Sequence, residues 1–123
     1  MKLVYVLSPF SGPNKEANIQ RAEHLCRMVL DAGHVPFAPY LFFPQFLDDE
    51  DENDRQLGID SGLELMKRFD IVLAYVGHGV SKGMRYELNR AYEAQEPRLY
   101  THQGKPLRVI LIHDQDEIKE VLQ

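Results

Sequence analysis

Apolar positions along the chain fall into two alternating rhythms. Leu3-Val4-Tyr5-Val6-Leu7 is a continuous apolar run ended by Ser8-Pro9. A run without polar alternation predicts a strand buried on both faces of a parallel sheet. After the turn cluster Ser11-Gly12-Pro13-Asn14, the residues Ala22, Leu25, Cys26, Val29 and Leu30 recur at helical spacing. They predict one amphipathic helix from Lys15 to Ala32, stopped by Gly33. Val35–Pro39 reads as a short extended segment whose prolines favour a sheet edge. Tyr40–Leu47 is aromatic but has no clean period, and the acidic run Asp48–Asp54 follows it. Helical spacing resumes at Ile59, Leu63, Met66 and Phe69. Asp70 then leads into the apolar strand Ile71–Val76. Met84, Leu88, Ala91 and Tyr92 mark a helix after Ser81. Pro97-Arg98-Leu99-Tyr100 reads as a short strand and Leu107–Ile112 as a strong one, and Asp114 caps a short terminal helix.

Strand and helix alternate throughout, which predicts an α/β fold: a parallel sheet with helices on both faces. Right-handed crossovers leave few topologies. The expectation is a flavodoxin-like, Rossmann-like three-layer sandwich of about five strands in the order 2-1-3-4-5, forming a single domain over residues 1–123. In that order the topological switch point lies between the first and third strands. The Ser8–Asn14 and Gly77–Gly83 turns then face each other across it.

Charge and composition narrow the partners. A net charge of −5 argues against a general nucleic-acid surface, which needs a basic face. No apolar run approaches the length of a membrane-spanning helix, and Met1-Lys2 runs straight into a β-like segment without a signal-peptide pattern. With Cys26 as the single cysteine, neither an internal disulfide nor a thiolate metal cluster is expected, and a cytoplasmic setting fits. Cys26 itself falls in the apolar stripe of its helix, where it reads as a small buried hydrophobe.

The segment richest in chemistry is Ser81-Lys82-Gly83-Met84-Arg85-Tyr86-Glu87, which follows the third strand. Ser81 is a natural N-cap, and the free N–H groups behind it suit an anion. Gly83 lets a ligand approach the backbone. Glu87 lies about one and a half turns into the helix, close enough to point back at the same mouth. Such a constellation suits a nucleotide or sugar phosphate. The plain alternative is a punctuated helix start with a solvated glutamate. Burial would raise the Glu87 pKa and the helix N-terminus would lower it. His78 sits beside the proposed cleft or is simply a surface histidine. The acidic run lacks the spaced ligands and central glycine of a calcium loop, and reads as a solvated lead-in to a helix N-terminus. No histidine spacing points to a metal. The aromatic segment Tyr40–Leu47 would cover a base, form a subunit contact, or make a satellite core. Tyr40, Phe42, Phe43 and Phe46 together favour a homodimer or higher homo-oligomer.

The order of these motifs resembles the nucleoside 2-deoxyribosyltransferase-like superfamily, in particular its small bacterial and phage branch. The likeness rests on Leu-Val-Tyr-Val-x-Ser-Pro-Phe-Ser-Gly, Gly-His-Val-Pro-Phe-Ala-Pro-Tyr-Leu, Phe-Leu-Asp-Asp, Gly-Leu-x-Leu-Met-x-x-Phe-Asp and Ser-x-Gly-Met-x-x-Glu, from Leu3 to about Ile112. The chain is also similar to the 2′-deoxynucleoside 5′-phosphate N-hydrolases. The resemblance implies cleavage or transfer at the N-glycosidic bond of (deoxy)nucleosides or their 5′-monophosphates, with no metal or cofactor. It implies Glu87 as nucleophile. Ser81 stands where the transferases carry aspartate and the monophosphate hydrolases carry a phosphate-contacting serine. Ser8, Phe10, Ser11 and Gly12 would line the sugar and phosphate site, with Gly83 and Met84 in the motif opposite. Tyr5 corresponds to a tyrosine near the nucleophile or else packs in the core.

One departure stands out. The family's further acid, two helical turns before Asp70, falls at Gly62 in this chain. Asp60 and Glu64, each two residues away, are the candidates to replace it, unless the protonation step is done differently. The alternative is a catalytically silent nucleotide-binding module of the same fold.

Overall fold

The structure is a computed structural model, and it describes residues 1–10, 12–94 and 106–123. Four parallel strands form one sheet in the order β2-β1-β3-β4. They are β1 (Leu3–Leu7), β2 (Val35–Phe37), β3 (Ile71–Tyr75) and β4 (Arg108–Ile112). The helices are α1 (Lys15–Asp31), α2 (Pro39–Phe42), α3 (Glu52–Met66), α4 (Lys82–Glu93) and α5 (Ile118–Val121). The expected five strands are therefore four among the described residues. The strand expected at Pro97–Tyr100 lies outside them.

The two central strands are apolar on both faces because both faces are covered. β3 is buried at all five positions and β1 at four of five. On one face α1 and α5 bring Leu25, Val29, Ile118 and Leu122 against Val4, Val6 and Leu73. On the other, α3 and α4 bring Leu63, Met66, Leu88 and Ala91 against Tyr5, Leu7 and Val72. Cys26 is partly buried against the first of these layers, and burial pushes its thiol up to about 11, so it is an un-ionised thiol at neutral pH.

Asp70 sets the register at the start of the sheet. Its carboxylate accepts the Leu3 N–H at 2.8 Å, its own N–H donates to the Leu3 carbonyl, and its carbonyl accepts the Arg108 N–H. One residue thus aligns β1, β3 and β4, and their carboxyl ends open together at the opposite edge.

The expected loop from Tyr40 to Asp54 is more ordered than the missing period suggests. Pro39 starts α2 at its first position, and a 3₁₀ turn, Phe43–Gln45, carries the chain on. The acidic run ends as the lead-in to a helix: Asp51 caps α3 by accepting the Asp54 N–H at 3.0 Å. The aromatic rings form a continuous cluster, Phe37–Phe42–Phe43–Phe46, with neighbouring centroids 5.1 to 6.4 Å apart. Phe37 joins it to the core rings of Tyr5 and Phe69. It is a satellite core in part only, since Phe42 and Phe46 keep 46% and 61% of their surface exposed.

Gly62 is fixed by packing. A Cβ built there would stand 2.5 Å from the Tyr5 hydroxyl oxygen. That hydroxyl is buried and has no hydrogen-bond partner among the described residues. Gly62→Ala is therefore expected to destabilise by about 1–3 kcal/mol in thermal or urea unfolding, the usual cost of overpacking, despite alanine's better helix propensity. In a Tyr5→Phe background, which removes the obstructing oxygen, most of that cost should vanish. Equal costs in the two backgrounds would refute the steric account.

Candidate functional site

At the carboxyl edge of the sheet, the segments after β1, β2 and β3 surround a cavity of about 490 Å³ together with the first half of α3. That volume is in the range of small-molecule sites. Phe10 comes from the first segment, Tyr40 and Phe43 from the second, and Ser81, Gly83 and Glu87 from the third. The switch-point geometry of a 2-1-3 order brings these segments together.

Glu87 is the unusual group. It lines the cavity yet retains only 2% of its surface, and no basic side chain pairs with it among the described residues. The Tyr40 hydroxyl donates a hydrogen bond to its Oε1. Oε2 accepts no hydrogen bond among the described residues. Burial raises the carboxyl from 4.5 to about 7, and the Tyr40 bond offsets part of that rise. Burial also pushes the Tyr40 and Tyr5 phenols upward, and the charge of Glu87 adds to both. Each phenol therefore keeps its proton near neutral pH, which leaves Tyr40 a donor to Glu87.

Tyr40 is held from behind. Its ring stacks on Phe10 at 5.7 Å and 27°. The Phe10 carbonyl in turn accepts from the buried Asn18 side chain at 3.1 Å, and Arg21 donates to Asn18 Oδ1 at 2.9 Å. Lys15 Nζ lies 5.0 Å from the Phe10 ring centroid. A chain of contacts from α1 through Phe10 thus orients the tyrosine that holds Glu87. Tyr40 was not among the site residues expected from sequence. The available signal was its position directly after a proline at the carboxyl end of β2, beside the switch point.

Ser81 caps α4 as expected, its Oγ accepting the Met84 N–H at 3.2 Å. The N–H groups of Lys82 and Gly83 make no hydrogen bond among the described residues, and both residues line the cavity. A Cβ on Gly83 would meet nothing within 4 Å, so glycine leaves open space there rather than relieving a protein contact. Met84 does not line the cavity: its side chain is fully buried and its N–H is taken by the Ser81 cap. Ser8 is buried directly after β1 and does not line the cavity. Gly12 is exposed with φ +119°, a turn conformation that favours glycine. Ser11 lies outside the described residues. His78 is exposed outside the cavity, with its Nδ1 2.7 Å from the Tyr75 hydroxyl.

Asp60 and Glu64 are not brought to the cavity. Asp60 is exposed and accepts from Gln56 at 2.9 Å. Glu64 is exposed and pairs with Lys67 at 3.5 Å and Arg68 at 3.9 Å. Two residues along a helix is a rotation of about 200°, so when Gly62 faces Tyr5 both acids face solvent. Besides Glu87, the acids that do line the cavity are Asp49, Glu52 and Asp54, and the basic residues that line it are Arg55 and Lys82. Among the described residues, no group of three or more His, Cys, Asp or Glu side chains is placed to hold a metal ion, and no helix is long and apolar enough to cross a membrane.

Comparison with solved structures finds the same architecture. The chain matches the 2-deoxyribosyltransferase of Bacillus psychrosaccharolyticus with a TM-score of 0.63 and 19% identity, covering 98% of this chain and 95% of that one. It also matches the CMP N-glycosidase BcmB of Clostridium botulinum with a TM-score of 0.51 and 16% identity, covering 98% of each. At such identities the likeness establishes the fold, which is nucleoside 2-deoxyribosyltransferase-like. No curated protein matches the chain in sequence. A family model covers residues 2–101, and the chain belongs to that family, described as Domain of unknown function (DUF7768).

Proposed function

We propose that this protein cleaves or transfers at the N-glycosidic bond of nucleosides, deoxynucleosides or their 5′-monophosphates, with Glu87 as the nucleophile. The observation that carries this reading is a buried carboxyl at a cavity wall, with one oxygen held by Tyr40 and the other without a hydrogen-bond partner among the described residues. Its pKa near 7 keeps a substantial fraction ionised at neutral pH. The neighbours of like fold, a deoxyribosyltransferase and a CMP N-glycosidase, both handle N-glycosidic bonds, which supports the same bond type here.

In this scheme a Glu87 carboxylate oxygen attacks the anomeric carbon and forms a C–O bond. The C–N bond breaks, its electron pair goes to the base nitrogen, and the base takes a proton from water or a cavity acid. Water then opens the glycosyl ester to free sugar, or a second base takes the glycosyl group, and Glu87 is regenerated. The open N–H groups of Lys82 and Gly83, with the Lys82 side chain, would receive a 5′-phosphate where one is present.

A silent nucleotide-binding module is the second reading, favoured by the exposure of Asp60 and Glu64. A panel of nucleosides and 5′-monophosphates, scored for free base, separates the two. Base release from at least one member is expected, and Glu87→Gln should lower it by roughly 10³-fold or more while binding persists. Binding without release from any member would establish the silent module. Full activity in Glu87→Gln would refute the mechanism. For the wild type, release should rise with pH up to about 7 and then level, as the carboxyl ionises.

The same variant has a stability signature of definite sign. Well below pH 4.5 the carboxyl is protonated in folded and unfolded chains alike. As pH rises from there to about 7, the unfolded chain releases its proton while the folded chain keeps it, so stability falls. The loss levels off above 7 at about 3 kcal/mol. Glu87→Gln should therefore melt at or above the wild type at pH 8, and the gap should narrow toward pH 5. A variant that melts well below wild type at pH 8 would contradict this.

Self-association is proposed as well. The exposed rings of Phe42 and Phe46 form one end of the aromatic cluster beside the cavity, and covering them in a homodimer would bury apolar surface. Sedimentation at micromolar concentration is expected to show a dimer or larger species. A monomer would refute it.

A further inference from the structure

We infer that Asp49 is the group that reads the base, and that the site favours bases carrying an exocyclic amino group at the edge facing it. This rests on the nucleoside reading of the cavity. The acidic run divides by function. Asp48 accepts the Glu50 N–H at 3.0 Å, Asp51 accepts the Asp54 N–H at 3.0 Å, and Asp54 accepts the Asp48 N–H at 2.8 Å. Those three carboxylates hold the backbone of the turn into α3. Asp49 and Glu52 accept no hydrogen bond among the described residues, and both line the cavity. Of these two, Glu52 is exposed while Asp49 is partly buried. The charge of Asp49 also reaches the Tyr40 phenol, the group bonded to Glu87.

The placement has a chemical consequence. If Glu87 meets the anomeric carbon, the base extends away from it along the aromatic wall of Phe10, Tyr40 and Phe43. Asp49 lines the same cavity, near enough to Tyr40 for its charge to act on that phenol. An ionised carboxylate only accepts hydrogen bonds. It is satisfied by an amino group and faces repulsion from a carbonyl oxygen at the same place. A matched polar contact of this kind is worth about 1–3 kcal/mol of discrimination between bases, roughly 5- to 150-fold. The amide of an asparagine presents both a donor and an acceptor, so it removes the basis for discrimination while keeping the shape.

The test is calorimetric binding of two matched pairs, cytidine against uridine and adenosine against inosine, with base release followed in parallel. The expected result is a wild-type preference of about tenfold for the amino-bearing member of each pair. Asp49→Asn should bring both ratios near unity without lowering the melting temperature appreciably, and Asp60→Asn should leave them unchanged. Equal affinities in the wild type, or a preference that survives Asp49→Asn, would overturn the assignment. Binding with the expected ratios but no base release would overturn the catalytic reading and leave Asp49 as the reader of a binding site. Failure of all four nucleosides to bind at millimolar concentration would overturn both.

Discussion

The arrangement turns on a carboxyl group held in the interior without a cationic partner among the described residues. An isolated buried charge is costly, and a protein answers by neutralising it or by giving it hydrogen bonds. Glu87 sits between those answers: burial lifts its pKa toward neutrality, and a single phenol supplies the hydrogen bond that keeps the ionised form accessible. The local structure serves that balance. Ser81 starts α4 so that Glu87 turns inward, and α2 is placed so that Tyr40 can reach it. Phe10 and Asn18 keep the phenol from swinging away. The hydroxyl of Tyr5 lies in the same layer, without a hydrogen-bond partner among the described residues, and stands where a side chain at position 62 would begin.

What sequence made legible was the part that depends on local chemistry. The continuous apolar runs of β1 and β3 are signatures of strands covered on both faces; β4 carries a similar run but buries only Ile112 fully, and the helical stripe from Ala22 to Leu30 is set by spacing alone. Ser81 and the glutamate in its helix are read from a cap and a count of residues. The switch point follows from the alternation of strands and helices along the chain.

What was not legible depends on contacts between distant segments. Nothing around Tyr40 states that it meets Glu87, 47 residues later. The missing period of Tyr40–Leu47 reflects a short helix and a 3₁₀ turn, too brief to show a repeat. Asp60 and Glu64 were reasonable substitutes by distance along the chain, yet helix geometry turns both outward. Asp49 was hidden in a run of similar acids. Only the hydrogen bonds reveal that its neighbours at 48, 51 and 54 are occupied with the backbone while it is not.

At the far side of the sheet, β2 is only three residues long, and its middle position is Pro36, paired with Val4. A proline offers no N–H to a neighbouring strand, and three residues make a poor template for another chain. This edge is thus protected against the open-ended strand addition that leads to aggregation. The same short strand delivers Pro39 and Tyr40 to the rim of the cavity within a few residues. Lengthening β2 to strengthen the sheet would therefore expose a growing edge and displace the tyrosine on which the carboxyl depends.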